Sequence, residues 1–326
     1  MIVVKESRDT NEWDDFILEN DGHPLQLSGW GDLKSKHGWI ADRLFITDND
    51  EVIGAIQVLT KKLPLPFRAF SYAPRNTVFH VKHAEGLEAV AMYIKHKYKG
   101  TTLSIEPDAE EFDKPEKWTK ATNKVLPAET IVIDLQQTED AIQAAMAKKT
   151  RQYIRKSAKD VEIKQVVTLE DIDKCFDLYR DTAQRAGFAL HTKEYYLDAK
   201  AALKDHSPIF AAYIDDEPVA FLWLAISGAT AYELYGGMND AGQKYRANYA
   251  LKWHAIAKTK EWGLTKYDFG GLISGGVTLF KQGWVGESTT FAGTYDRPLS
   301  PFYVLWSHAL PFAKRTAQRV RKVIKR

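Results

Sequence analysis

Apolar and polar positions follow two periods along this chain, and the switches between them place the elements. Ile2-Val3-Val4 opens as an edge strand, and NEWDDFILEN sets Trp13, Phe16 and Ile17 on one helical face. After a turn at Asp21-Gly22, LQLSGWGDLKSKHGW predicts a helix capped by Ser28, with Trp30 and Lys34 one above the other on one face. RLFITDNDEVIGAIQVLTKKL predicts two antiparallel strands around a polar turn at Asp48–Asp50, and PFRAFSYAPRNTVF a further strand with a loop. AEGLEAVAMYIKHKYKG is a helix closed by Gly100, followed by the strand TTLSIEP. DAEEFDKPEKWTKATNKVLPAE is polar and proline-punctuated, a surface loop, before ETIVIDL returns to the core.

From Thr138 the character changes. TEDAIQAAMAKKTRQYIRKSAKD predicts one long helix capped by Thr138, basic in its second half at Lys148, Lys149, Arg151, Arg155, Lys156 and Lys159. The strand VEIKQV, the helices DIDKCFDLYRDTAQRAG and TKEYYLDAKAALKD, and a three-stranded meander in PIFAAYIDDEPVAFLWLAISGATAYELYGG follow. The chain then repeats itself. FITDNDEVIGAIQVL (45–59) and AAYIDDEPVAFLWLA (211–225) share a strand, an acidic turn and an apolar strand, and each copy continues into a long helix ending in Gly100 or Gly263 and then a strand. Such spacing is too long for a solenoid and implies two copies of one α+β domain. Helices feeding a meander fit a mixed, mainly antiparallel sheet flanked by helices, for which the acetyltransferase-like GNAT fold is the commonest template.

Composition narrows the function classes. At 326 residues, 44% hydrophobic and 27% charged, the chain is that of a globular protein with room for two cores. Forty-five Lys+Arg against 43 Asp+Glu leave a net charge of +2, so any contact with nucleic acid or anionic lipid must come from local clusters. One is the 314–326 stretch, with seven Lys/Arg and no acid. No apolar run approaches the ~20 residues that span a bilayer, and MIVVKESRDTNEWDDF carries charge where a signal peptide is apolar, so a cytoplasmic protein is expected. Cys175 stands alone, and neither a C-x-x-C nor an H-E-x-x-H pair is present; neither disulfide nor metal nor cofactor is expected.

One stretch concentrates candidate chemistry. YDFGGLISGGVTLFK (267–281) runs from a strand through the pairs Gly270-Gly271 and Gly275-Gly276 to Phe280-Lys281. Glycine pairs let backbone approach a ligand, and the lysine sets a cation beside an aromatic at the loop's end.

In order, TIVIDL, KKTRQYIRKSAKD, DTAQRAGF, KEYY, YELYGG, NYALKWHAIAKTKEWG, YDFGG, LFKQGW and AGTYD resemble the Fem-type (FemABX) peptidyltransferases over about residues 26 to 300. That resemblance implies an α+β fold of two GNAT-like domains, expected here as 1–137 with 292–326, binding the acceptor, and 138–291, on the aminoacyl-tRNA side. It implies that AGTYD rejoins the first domain. The long helical hairpin that some members insert has no counterpart here.

The implied activity is tRNA-dependent aminoacyl transfer to the stem peptide of a peptidoglycan precursor, either lipid II or UDP-N-acetylmuramoyl pentapeptide, by a monomer that touches the membrane at most peripherally. The ester donor is already activated, so the chemistry asks for positioning and oxyanion stabilisation. The resemblance assigns the oxyanion role to Lys281 with Phe280, acceptor phosphate to Lys34 with Lys36 beside it, and further acceptor contacts to Glu106, His191, Tyr195 and Tyr235. His191 stands where small members can have arginine. Glu106 replaces the acid of an I-D-P motif, Arg75-Asn76-Thr77-Val78 replaces R-G-P-V, and Gly293-Thr294-Tyr295-Asp296 lacks the glutamate of G-E-x-D, which leaves the general base unassigned. Lys149, Arg151 and Arg155, and Lys314, Arg315 and Arg319, are the expected contacts to tRNA or membrane. The competing expectations are an acyl-CoA-dependent N-acyltransferase, disfavoured because neither copy has an R/Q-x-x-G-x-G/A pyrophosphate loop between its meander and the long helix that follows, and a non-catalytic paralogue that binds precursor or RNA.

Overall fold

A computed structural model of the chain describes residues 1–76, 79, 83–272, 276–284 and 288–308. It divides into two units: Met1–Ala128 with the residues from Phe291 onward, and Glu129–Thr290.

The first unit opens with β1 (Ile2–Glu6), at the edge of its sheet, and α1 (Thr10–Glu19), which buries Trp13 and Ile17 against Leu27 and Phe45. In α2 (Ser28–Lys36) the cap position falls on Leu27, and Ser28 is already helical. The expected Ser28 cap gives way to a carboxylate from the neighbouring helix: the Ser28 N–H and hydroxyl donate to Asp14 at 2.6 and 2.5 Å, at the end of α2 that favours an anion. β2 (Ile40–Asp48) and β3 (Glu51–Lys62) form the expected hairpin, turning on Asn49 and Asp50 with φ of 50° and 67°.

β4 (Ala69–Ala73), α3 (His83–Tyr98) and β5 (Thr102–Ile105) come next, with β5 parallel to β4. The left-handed residue closing α3 is Lys99, φ 51°. Gly100 serves another purpose, because a Cβ there would stand 2.8 Å from the Ala69 carbonyl oxygen. The segment expected as a surface loop contains β6 (Thr119–Lys120) and sends Trp118, fully buried, into the first core beside Leu44, Val90 and Ile105.

β7 (Glu129–Thr130) and β8 (Val132–Asp134) begin the second unit. The boundary expected from the resemblance, at 137, puts them in the first domain; β8 instead lies at the edge of the second sheet. The single long helix expected after Thr138 is two, α4 (Glu139–Ala145) and α5 (Lys148–Ser157), although Thr138 does cap the first. The break is held by a hydrogen bond outside the helix, Ala147 N–H to the Gly283 carbonyl at 3.0 Å. β9 (Glu162–Val166), α6 (Leu169–Ala186), α7 (Lys193–Leu203) and the meander β10 (Ile209–Ile214), β11 (Glu217–Ser227) and β12 (Thr230–Met238) follow as expected. Then come α8 (Asp240–Tyr245), α9 (Ala247–Glu261), β13 (Lys266–Asp268), α10 (Gly276–Gln282) and β14 (Thr289–Thr290), before β15 (Tyr295–Pro298) returns to the first unit.

The internal repeat is topological. β2-β3-β4-α3-β5 and β10-β11-β12-α9-β13 are each an antiparallel meander, a helix, and a strand parallel to the third of the meander. On its far side β5 pairs antiparallel with β15 and β13 pairs antiparallel with β8. The sheet orders are β1-β2-β3-β4-β5-β15-β6 and β8-β13-β12-β11-β10-β9. No described helix is long and apolar enough to cross a membrane, and no described cluster of His, Cys, Asp or Glu could hold a metal ion. Cys175 is buried in α6, where burial pushes its thiol up to about 12, as expected of a packing residue.

Candidate functional site

The glycine turn after β13 is a backbone ledge held from three sides. Gly270 and Gly271 both adopt positive φ, 71° and 89°. A Cβ on Gly270 would stand 2.1 Å from the Glu233 carbonyl oxygen, so this glycine is set by close approach to β12 as well as by conformation. Asp268 Oδ1 accepts from the Thr130 hydroxyl at 2.5 Å and from the Gly270 N–H at 2.7 Å, and Gly271 N–H donates to the Thr130 hydroxyl at 3.2 Å. From α10, the buried ammonium of Lys281 donates to the carbonyls of Phe269 and Gly271, the latter at 2.7 Å. Lys281 is therefore an interior cation that grips the turn, and not a solvated surface charge. Phe280 is half-buried, edge-on to Tyr249 with ring centroids 4.9 Å apart. Ile273–Gly275, the middle of the stretch, lie outside the described residues.

Behind the ledge stands a second buried cation that sequence reasoning missed. Lys252, on the inward face of α9, donates to Glu233 Oε1 and lies 4.2 Å from the centroid of the Phe269 ring. The Tyr267 hydroxyl donates to the same oxygen at 2.9 Å. Burial carries the Lys252 ammonium down to about 8, opposed by Glu233 and reinforced by Lys281. A signal was available, since Lys252 falls on the helical face that otherwise buries Ala247, Leu251, Ala255 and Ile256. A charge in that position requires a partner.

Glu233 reaches this side because of a bulge. β12 pairs Tyr235 with Trp223 and then Glu233 with Leu224, leaving Leu234 as an extra residue. Two residues apart in a regular strand would share a face; the extra residue aims Glu233 at α9 and Tyr235 at α6 and α7. Tyr235 accordingly packs among Tyr179, Tyr196 and Trp223 at centroid distances of 5.7, 5.2 and 5.5 Å. Burial pushes its phenol well above the usual range and carries Tyr195 up to about 12. His191 stacks on Tyr195, centroids 3.9 Å apart. The expected residues of the second unit thus form two groups: Phe280 and Lys281 on the α9 side of the sheet, and His191, Tyr195 and Tyr235 on the α6 and α7 side.

In the first unit, Lys34 sits over Trp30, its Nζ 4.6 Å from the ring centroid, and burial lowers its ammonium to about 8. Lys36, in the last turn of α2, is exposed. Glu106 is committed to the protein. One oxygen accepts from the N–H groups of Val125 and Leu126 and from the Thr294 hydroxyl at 3.2, 3.0 and 2.7 Å, and the other from Tyr72. It anchors the segment after β6 instead of offering an open oxygen to a ligand. Arg75 is also buried, its guanidinium 3.7 Å from the centroid of the Phe291 ring; Thr77 and Val78 lie outside the described residues.

The basic clusters divide too. Arg151 donates to the carbonyls of Gln143, Ala144 and Met146 at 3.2, 3.1 and 2.7 Å, capping the C-terminus of α4, so its expected outward role is replaced by an internal one. Lys149 and Arg155 are exposed. Lys314, Arg315 and Arg319 lie outside the described residues.

Comparison with known proteins bears on the whole chain. A family model described as an acetyltransferase (GNAT) domain matches residues 143–282. The lipid II:glycine glycyltransferase of Staphylococcus epidermidis is 21% identical, covering 97% of this chain and 98% of its own. That of Staphylococcus aureus is likewise 21% identical over the same shares. Among solved structures, the crystal structure of FemX matches with a TM-score of 0.81 at 19% identity, covering 93% of this chain and all of its own. The chain is thus similar over nearly its whole length to Fem-type transferases and shares the fold of FemX. It is an acyltransferase with GNAT-like α+β architecture, as the ordered motifs and the internal repeat imply. Among the described residues no long helical hairpin interrupts either unit.

Proposed function

We propose that the protein transfers an aminoacyl group from aminoacyl-tRNA to the stem-peptide amine of a peptidoglycan precursor, building the interpeptide bridge. End-to-end similarity to proteins named lipid II:glycine glycyltransferases carries this reading, and it makes glycine the first donor to test. The amine attacks the ester carbonyl and forms a C–N bond; collapse of the tetrahedral intermediate breaks the C–O bond, and the proton lost by the amine ends on the departing ribose oxygen. Lys281 stabilises the oxyanion at the glycine ledge, with Phe280 beside it. Lys34 takes the acceptor's diphosphate, with Lys36 at the same helix end, while His191, Tyr195 and Tyr235 contact the acceptor's sugar and peptide. The exposed Lys149 and Arg155 contact tRNA. The enzyme works in the cytoplasm as a monomer.

The acyl-CoA alternative finds little support in the second unit. The turn between β12 and α9 is occupied by α8, whose first turn is capped by its own Asn239, Oδ1 accepting from Gly242 N–H at 2.9 Å. The experiment that tests the proposal incubates the enzyme with a charged tRNA pool and either the lipid-linked or the nucleotide-linked pentapeptide. Mass spectrometry should show one residue added, and ribonuclease treatment of the donor should abolish the addition. Transfer that survives ribonuclease and follows added acyl-CoA would replace this proposal with the alternative.

Acceptor binding carries a pH signature. Lys34 is cationic below about 8 in the free enzyme, so affinity for a diphosphate is full at neutral pH and falls as pH rises past that value. The dissociation constant for the nucleotide-linked acceptor, measured by titration calorimetry, should weaken roughly tenfold between pH 7 and pH 9. In Lys34→Met it should be weaker at pH 7 and nearly flat with pH. A wild-type constant that does not move would remove Lys34 from the phosphate site.

A further inference from the structure

The first unit carries an apolar face that is exposed among the described residues. In the turn between β3 and β4, Leu65 is 78% exposed, and beside it Phe67 packs on Trp306, ring centroids 5.3 Å apart. Trp306 belongs to the helical segment 303–308, which is tied down on its other side: the Tyr303 hydroxyl donates to Asp296 at 3.0 Å, and the Ser307 carbonyl accepts from Asn123 at 3.5 Å. With Tyr303 and Ser307 facing inward, helical spacing turns Val304, Leu305 and His308 outward. Phe302, Val304 and Leu305 are 44%, 64% and 53% exposed. Three large apolar side chains on one short segment beside an exposed leucine exceed the scatter of single apolar residues that a soluble surface carries.

The segments that form this face carry charges of one sign. The residues 61–72, 117–127 and 297–308 contain no Asp or Glu, while Lys62, Arg68 and Lys124 are exposed among them. The chain continues from this segment through 309–326, which holds seven Lys/Arg and again no acid. We infer that the Leu63–Arg68 turn and the 302–308 segment dock on the surface of an anionic lipid bilayer, the apolar side chains entering the headgroup boundary and the cations meeting lipid phosphates. Basic side chains alone would suit RNA equally well. The uncovered Leu65, Val304 and Leu305 favour a surface with an apolar interior, because an RNA backbone gives them nothing to bury against.

The inference deepens the proposed function by favouring a lipid-linked acceptor, yet its test needs neither donor nor acceptor, so the two can fail separately. The full-length protein is sedimented with vesicles of phosphatidylcholine containing about 30% phosphatidylglycerol, and with phosphatidylcholine alone. Binding to the anionic vesicles should exceed binding to the neutral ones by at least ~10-fold and weaken with salt. The double variant Leu65→Asp/Leu305→Asp should lose ~10-fold or more of the anionic-vesicle binding and melt like the wild type, since both side chains are exposed. Absence of vesicle binding by the wild type would overturn the inference, as would a double variant that binds vesicles unchanged. A variant that instead loses affinity for uncharged tRNA would assign the face to RNA. A lipid-free dimer abolished by the same substitutions would assign it to a second copy of the chain.

Discussion

Lys281→Met should lower turnover by on the order of 10²-fold or more, with the acceptor KM little changed. An ammonium has three N–H donors, and two of those of Lys281 go to the carbonyls of Phe269 and Gly271. The third is the donor the proposed mechanism gives to the oxyanion, and the fixed backbone of the ledge holds it in place before substrate arrives. Methionine keeps the unbranched chain as far as the ε position while removing both the charge and the grip on the turn. Lys281→Gln separates these losses, because its amide can still donate to a carbonyl without carrying charge. If the charge stabilises the transition state, Gln and Met fall together in kcat. If Lys281 only holds the ledge, Gln retains most of the activity, and the loss in Met tracks the loss of thermal stability. Full activity in Lys281→Met would remove the residue from the chemistry.

Most of the architecture was legible because each copy of the repeat carries its own local signals. The hairpin at Asp48–Asp50 follows from polar residues that tolerate positive φ, and the ends of α1, α6 and α9 follow from helical period. Errors arose where a distant part of the chain supplied the deciding bond. Ser28 looks like a cap in sequence, but Asp14 supplies the carboxylate; the long helix after Thr138 is broken by the carbonyl of Gly283, 136 positions further on from Ala147. Trp118 sits in a segment whose composition is that of a surface loop, and its burial depends on a core built from elsewhere. In the candidate site, the ledge and its lysine were visible as a cluster of glycines ending in Phe280-Lys281. The buried partner cluster was not, because Glu233 faces α9 only through the bulge at Leu234, and a one-residue register shift leaves no mark in composition.

That cluster yields the largest stability effect expected in the molecule. Glu233→Leu should destabilise the second unit by about 3–5 kcal/mol, because it leaves the Lys252 ammonium buried without its carboxylate and the Tyr267 hydroxyl without its acceptor. Urea melts followed by tryptophan fluorescence measure it. The double variant Glu233→Leu/Lys252→Leu should be clearly more stable than the sum of the single variants, since removing both charges removes the desolvation cost along with the attraction. The pH dependence supplies an independent check on sign. Lys252 holds its proton less tightly when folded, at about 8, than an unfolded lysine at 10.5. Between those values the unfolded chain binds more protons, and this group makes stability rise with pH. Loss of Glu233 removes the interaction that opposes the lowering, so the same rise should begin at lower pH in Glu233→Leu. A Glu233→Leu protein within about 1 kcal/mol of wild type would mean that the pair contributes no more than an exposed ion pair. Glu233 also lends its carbonyl to the close approach of Gly270, so moving it moves the ledge. Glu233→Leu should therefore lose activity at temperatures where the protein is still folded, whereas Glu233→Gln, which keeps an acceptor for Tyr267 and Lys252, should lose much less.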